Sequence, residues 1–203
     1  LMYFVNELPE AGGEVSVTRA VMEPGGAGGT IATTLARLGH QVKIATRVGT
    51  GPFSELALRN VMASGVDTSC VQHDEGLQTG SILILITPDA QRTMLSSAGA
   101  TRHLDAAFLN PDDITSCDAL VMSAYSLIGG LQREYAVKAL DIAKRAGLTT
   151  FIDMGSGAVN ALQDRLISLT QDFDYLLMNQ KELLTLTGAT SISEAVNGLA
   201  HEG

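Results

Sequence analysis

The feature that most restricts the fold of this chain is a rhythm. Short apolar runs rich in β-branched residues alternate with amphipathic stretches of helical period. Residues 42–48, 119–123, 149–153 and 174–178 read as strands. Helical patterns lie at 30–38, 53–64, 132–146, 161–169 and 181–187. In the third of these, Tyr135, Ala136, Ala139, Leu140, Ile142 and Ala143 make an apolar stripe, and Gly147 supplies the stop. Strand and helix in alternation predict an α/β fold whose parallel sheet is covered on both faces.

Two segments break the rhythm. Residues 1–22 hold strand-like pieces at 2–5 and 15–21, joined by a turn at 9–13. Residues 79–97 hold an apolar run at 81–87, a Pro88-Asp89-Ala90-Gln91 turn, and a second run at 92–97. Neither pair has a helix between its strands, so both are expected to be antiparallel hairpins in a small second sheet standing off the main one. A strand over 81–87 is roughly 23 Å long, enough to reach across the mouth of a cleft. The expected organisation is an α/β core at 23–78 and 98–203 with a β-strand lid at 1–22 and 79–97. No internal repeat or low-complexity linker divides the chain further.

Composition narrows the function. Hydrophobic residues make up 45% and charged residues 17%, the balance of a soluble globular protein. The formal charge of −9 argues against a nucleic-acid or anionic-membrane surface, which needs clustered Lys and Arg. It does not argue against a nucleotide substrate, since a site needs only a few local cations or a metal. No apolar run approaches the roughly 20 residues of a membrane span. Cys70 and Cys117 lack metal-ligand spacing and are expected to be reduced thiols of a cytoplasmic protein. His40, His73, His103 and His201 are scattered and read as surface or loop residues. The first residues, with no basic flank and no small-residue cleavage site, read as a strand entered partway along rather than a signal peptide.

The strongest local signal is Pro24-Gly25-Gly26-Ala27-Gly28-Gly29-Thr30, followed at once by a helical pattern. Glycines before a helix N-terminus let backbone N–H groups approach a ligand without interference from Cβ. The alternative is a merely flexible turn. The motif is not a phosphate loop of the G-x-x-x-x-G-K-[ST] type, because no Lys follows. A dinucleotide site is disfavoured too, because the preceding segment reads as an antiparallel strand rather than the first strand of a βαβ unit. Asn179-x-x-Glu182 lies where a strand ends and a helix begins, the edge of a parallel sheet where α/β proteins bind ligands. The same spacing suits a helix N-cap completed by a capping box. Asp153 also ends a strand, as a site carboxylate or as a loop cap.

Together these pieces resemble the PfkB/ribokinase carbohydrate kinases. Gly25 to Ala32, running into Leu35-Ala36-Arg37-Leu38-Gly39, is similar to the first signature of that family. The resemblance continues in order through Val48-Gly49, Phe53, Gly65-Val66-Asp67-Thr68, Thr79-Gly80, Arg92-Thr93, Gly99-Ala100 and Leu176 to Glu182. It implies a ribokinase-like three-layer α/β/α fold, a mainly parallel sheet and a small antiparallel lid sheet.

The resemblance also implies roles. The glycine turn, Gly25, Gly26 and Gly28 with Thr30, holds sugar rather than nucleotide. Asn179 and Glu182 help hold Mg²⁺ and phosphate, Glu182 through water, as suits a hard cation that keeps its hydration shell. Asp153 lies near the phosphate, although Met154-Gly155-Ser156 departs from the Asp-Pro-Asn type of sequence many relatives carry there. Thr30 stands where an Asn is usual, and Tyr125 where ribokinase-like enzymes often carry an acidic sugar ligand. Both departures count against ribose itself. Arg92, on the lid, meets a phosphate or carboxylate of the substrate or is solvated. By the same resemblance the catalytic base, in a Gly-Ala-Gly-Asp turn, and the ATP-binding loops are expected beyond Gly203. No catalytic residue is then expected within this chain.

The expected activity of the longer parent is ATP- and Mg²⁺-dependent phosphorylation of a hydroxyl on a small sugar or sugar-like molecule. Its partners are the sugar and ATP, with no nucleic acid and no membrane, and lid strands pairing between subunits imply a homodimer. A nucleoside kinase is a rival within the class, against which the aliphatic run at 81–87 counts. A non-catalytic sugar-binding or regulatory protein on the same fold is a rival from another class, and a dehydrogenase a more distant one.

Overall fold

The computed structural model describes residues 1–202, apart from the side chains of residues 164 and 200–202. The surface reading of His201 lies outside the described residues; His40, His73 and His103 are exposed. The chain falls into two compact units, the first ending at His103 and the second beginning at Leu104.

The first unit runs β1 (Met2–Val5), β2 (Val17–Val21), α1 (Ala27–Arg37), β3 (Thr46–Thr50), α2 (Pro52–Ala63), β4 (Val71–Gln78), β5 (Ser81–Ile86) and β6 (Arg92–Ser97). Its four-stranded sheet has the order β2-β1-β5-β6. The two expected hairpins are present as antiparallel pairs. They join through a parallel pair, β1 with β5. The sheet is therefore mixed rather than purely antiparallel, because its two inner strands enter side by side in the same direction. β5 is apolar on both faces, and all six of its residues are half-buried.

β3 and β4 form a separate parallel pair. Arg47 locks it, donating to Asp74 and Gln72 across the pair while its Nη1 also reaches the His103 carbonyl oxygen. β4 was not foreseen, because Val71-Gln72-His73-Asp74-Glu75 carries no apolar alternation; the pairing depends on this ion pair and on its neighbour strand. The strand expected from residue 42 begins only at Thr46, with Lys43 making an isolated bridge to Asp67. Below the strands, Ala32 of α1, Ile44, Val61 of α2 and Val66 pack into a small core.

The second unit runs α3 (Pro111–Thr115), β7 (Ala119–Ser123), α4 (Gly130–Arg145), β8 (Thr149–Asp153), α5 (Ser156–Leu162), α6 (Asp164–Thr170), β9 (Tyr175–Leu177), α7 (Gln180–Thr187) and α8 (Ile192–Glu202). β7, β8 and β9 make a parallel sheet in that order. Ile152 and Met154 are fully buried in a core with Val159, Leu162, Leu166, Phe173 and Leu186. Two cross-strand contacts set the register of β9. Phe151 and Tyr175 stack at 4.8 Å, and Asp174 accepts hydrogen bonds from both the N–H and the hydroxyl of Thr150.

The helix expected over 161–169 is instead two, α5 and α6, broken at Gln163 with φ 43°. Gln carries no turn signal; the break lets Val159, Leu162 and Leu166 all reach the core. α3 and α8 were not foreseen. α3 is a five-residue turn too short for periodicity to declare.

Candidate functional site

The site residues fall into two sets, one in each unit. In the first unit, α1 begins at Ala27 rather than at Thr30, since the Thr30 N–H already donates to the Gly26 carbonyl at 3.0 Å. Gly28 and Gly29 are thus in the first helical turn, and Gly26, with φ 91°, is the N-cap. The sequence pattern placed the start at the first periodic apolar residue. Glycine tolerates the first turn because the amides there need no helical partner. The correction moves the free N–H groups onto Gly26 to Gly29 themselves. A Cβ added to Gly25, Gly26 or Gly28 would meet nothing within 4 Å. Packing does not require these glycines; only at Gly26 does backbone conformation do so. Thr30 is exposed beside them, and Arg92 is exposed at the start of the outer strand β6.

In the second unit, the remaining candidates gather at the carboxyl ends of the parallel strands. Asp153 ends β8, Ser123 ends β7 in register with it, and Asn179 follows β9. Asn179 and Glu182 do form a capping box: the Asn179 side chain accepts from the Glu182 N–H at 2.9 Å, and Glu182 Oε2 accepts from the Asn179 N–H at 3.0 Å. The other oxygen of Glu182 accepts from the Ser156 hydroxyl at 2.8 Å. Glu182 is only 7% exposed. The cap fixes its carboxylate in place, and each oxygen retains a further lone pair.

Tyr125 does not stand free. Its ring lies on Gly155 and Gly157, where an added Cβ would come within 2.7 and 2.6 Å of it, and its hydroxyl oxygen accepts from the Gly157 N–H at 3.1 Å. One ring face is sealed, and the residue stays 43% exposed. Gly155 and Gly157 are glycines because Tyr125 covers them.

Burial, and after it the Glu182 charge, pushes the Asp153 carboxyl up from its ordinary value. A carboxyl raised by folding favours the folded state in its protonated form. That contribution is present below the ordinary value of 3.8 and is lost as pH rises through the folded one. At neutral pH the ionised Asp153 therefore opposes folding. Asp153→Asn is expected to raise Tm at about pH 7, with the gain gone by about pH 3. Equal melting of the two proteins at neutral pH would contradict the electrostatic origin.

Two carboxylates near each other, one of them disfavoured as an anion, suit a hard cation bound through oxygen and water. Among the described residues no group of three His, Cys, Asp or Glu side chains is arranged to hold a metal. Ser156 and Ser123 escaped the sequence reading. A lone serine after a glycine carries no signal; Ser156 gained its importance only when folding set it beside Glu182. Ser123 Oγ is buried without a hydrogen-bond partner.

The profile of the family described as pfkB family carbohydrate kinase matches residues 1–203. Deoxyribokinase of Salmonella typhi is 23% identical over 190 residues, which cover 93% of this chain and 59% of that protein. Fructokinase-1 of Oryza sativa subsp. japonica is 26% identical over 87% of this chain and 57% of its own length. A structure from E. coli, provisionally called ribokinase II and in complex with ATP and Mg²⁺, superposes with TM-score 0.76 over 100% of this chain and 66% of that one, at 19% identity. The chain spans less than two thirds of the length of these relatives. The fold is ribokinase-like. No helix among the described residues is long and apolar enough to cross a membrane.

Proposed function

This chain belongs to the pfkB family of carbohydrate kinases, and from that premise we propose that the whole protein transfers a phosphoryl group from MgATP to a hydroxyl of a small sugar or sugar-like substrate. One observation carries the reading: three glycines at the start of α1 open onto free space, with unpartnered helix N-terminal amides beside them. Those amides, with the Thr30 hydroxyl, orient the acceptor. The β2-β1-β5-β6 sheet, from 1–22 and 79–97, is its lid, and 23–78 with 98–203 make up the α/β kinase core. Arg92, on the lid, is a further contact for the substrate. Closure of the lid limits loss of phosphate to water.

Asp153, Asn179 and Glu182 would hold Mg²⁺ and phosphate, Glu182 through water. Mg²⁺, when bound, offsets charge on the moving phosphoryl group. The acceptor proton passes to the Asp of a Gly-Ala-Gly-Asp turn, a motif that residues 1–203 do not contain; these residues by themselves are expected to bind sugar weakly and transfer nothing. A second copy of the chain is the partner for Met94 and Leu95, which lie 48% and 55% exposed on the outer strand β6. Cys70 and Cys117 form no disulfide among the described residues, which accords with a cytoplasmic location.

Gly28→Ala separates this reading from a flexible turn. The added methyl has room and favours the helix, so Tm is expected to hold or rise. Sugar binding, read by calorimetry against ribose, deoxyribose and fructose, is expected to weaken by about 1–3 kcal/mol as the methyl enters space the ligand needs. Undiminished binding by a stable Gly28→Ala protein would remove the glycine turn from the site. Turnover by the chain alone in a coupled ATP assay would overturn the placement of the base.

A further inference from the structure

Three short sequence pieces with no assigned task, Val48-Gly49, Thr79-Gly80 and Gly99-Ala100, meet at one point. The β5–β6 hairpin is entered through Thr79-Gly80 and left through Ala98-Gly99; the entry touches the end of β3 at Gly49, and the two junctions touch each other. A Cβ on Gly80 would lie 2.7 Å from the Ala98 carbonyl oxygen. One on Gly99 would lie 2.8 Å from the Gly80 nitrogen, and one on Gly49 2.7 Å from the Thr79 nitrogen. Three passes of backbone cross here with no side chain between them. One side chain bonds across the crossing: Thr79, 6% exposed, accepts the Gly49 N–H on Oγ1 at 2.9 Å.

The contrast with the turn before α1 is physical. Gly25, Gly26 and Gly28 have empty space around them, whereas Gly49, Gly80 and Gly99 are jammed against carbonyls and amides. Jammed backbone cannot bend, so the hairpin can change its angle only by turning about the crossing as a whole. The point also lies where the parallel pair β3–β4 ends, Thr50 being in register with Gln78. That is the edge at which an α/β fold places its ligands.

We propose that Thr79 is a positioning residue for the sugar site: by tying Gly49 to the root of β5 and β6, it sets the angle at which the β2-β1-β5-β6 sheet leaves the β3–β4 pair. This rests on the reading of that sheet as a lid, and it adds that the lid root is a rigid pivot rather than a flexible hinge. Thr79 touches no substrate. It acts through the backbone it holds.

The test compares Thr79→Val, which keeps the shape and loses the acceptor, with Thr79→Ser, which keeps it. Amide hydrogen exchange of the chain is followed by mass spectrometry, and ribose, deoxyribose and fructose binding by calorimetry. In Thr79→Val, protection is expected to fall at Gly49 and along β5 and β6 while β8 and α4 stay unchanged, and the sugar Kd to rise roughly tenfold. Thr79→Ser is expected to restore both to within about twofold. Uniform loss of protection, or unchanged β5–β6 exchange in a folded Thr79→Val protein, overturns the pivot. So does a Thr79→Ser protein that behaves like Thr79→Val. Should Thr79→Val not fold, Thr79→Ser decides alone, retained Gly49 protection and binding supporting the role and loss of either rejecting it. If the unaltered chain binds none of the sugars, the sugar-site reading fails, while the exchange arm still judges the pivot.

Discussion

Gly49→Ala is expected to be severely destabilising, its denaturant midpoint falling well below that of the unaltered chain. The new Cβ would overlap the Leu77 carbonyl oxygen and lie 2.5 Å from the Gln78 carbonyl carbon and 2.7 Å from the Thr79 nitrogen. All three are backbone atoms of β4 or of its exit, so no side-chain rotation can relieve the contact. β3 would have to withdraw from β4, breaking the Gly49 N–H bond to Thr79. A buried donor left without a partner costs about 1–3 kcal/mol by itself. Added to the strain of separating the strands, the loss exceeds about 4 kcal/mol, against a total stability of about 5–15 kcal/mol for a typical domain. Gly25→Ala is the control, since nothing lies within 4 Å of its Cβ. Denaturant melts of the two proteins decide the matter, and a Gly49→Ala transition close to that of Gly25→Ala would refute the crossing as described.

Glu182 should show the second largest effect, split by chemistry. Glu182→Leu removes both acceptors and leaves the Asn179 N–H and the Ser156 hydroxyl without their partner. The expected loss is about 2–3 kcal/mol, from one orphaned donor and one broken cap. For a chain of this length that is a fall in Tm of roughly 4–12 °C. Glu182→Gln keeps one carbonyl oxygen for the Asn179 N–H, and the Ser156 hydroxyl can turn to accept from the new amide. Its loss is expected to stay within about 1 kcal/mol. The two variants are expected to agree on magnesium. A rise in Tm with MgCl₂ in the unaltered chain should vanish in both, because neither retains the second carboxylate beside Asp153. A Glu182→Gln protein that still gains stability from MgCl₂ would move the cation elsewhere.

Both predictions turn on groups whose sequence signals were unequal. Asn179 and Glu182 were legible because a cap needs donor and acceptor at fixed local spacing, and both its bonds span three residues. The alternation of apolar strand and amphipathic helix was legible for the same reason: it repeats within a few residues. β7 and β8 appear where their apolar runs stand, and β6 spans the 92–97 expected of the hairpin's return strand. The glycine turn announced itself by composition, although the helix swallowed half of it, since first-turn amides place no demand on side chains.

What stayed hidden depends on partners distant along the chain. β4 exists because Asp74 meets Arg47, a separation of 27 residues. The helix break at Gln163 answers to core volume rather than to any local preference of Gln. Tyr125 is a half-covered ring because Gly155 and Gly157 arrive beneath it from another strand end. The amino-acid sequence alone determined the layer architecture, the sheet edge that carries the carboxylates and the membership of a kinase family, since each is written in local period or in ordered motifs. Only the tertiary structure decided that Gly49, Thr79, Gly80 and Gly99 form one crossing and that Ser156 steadies Glu182. Close approach of backbone to backbone leaves no trace in spacing, only a glycine at each end.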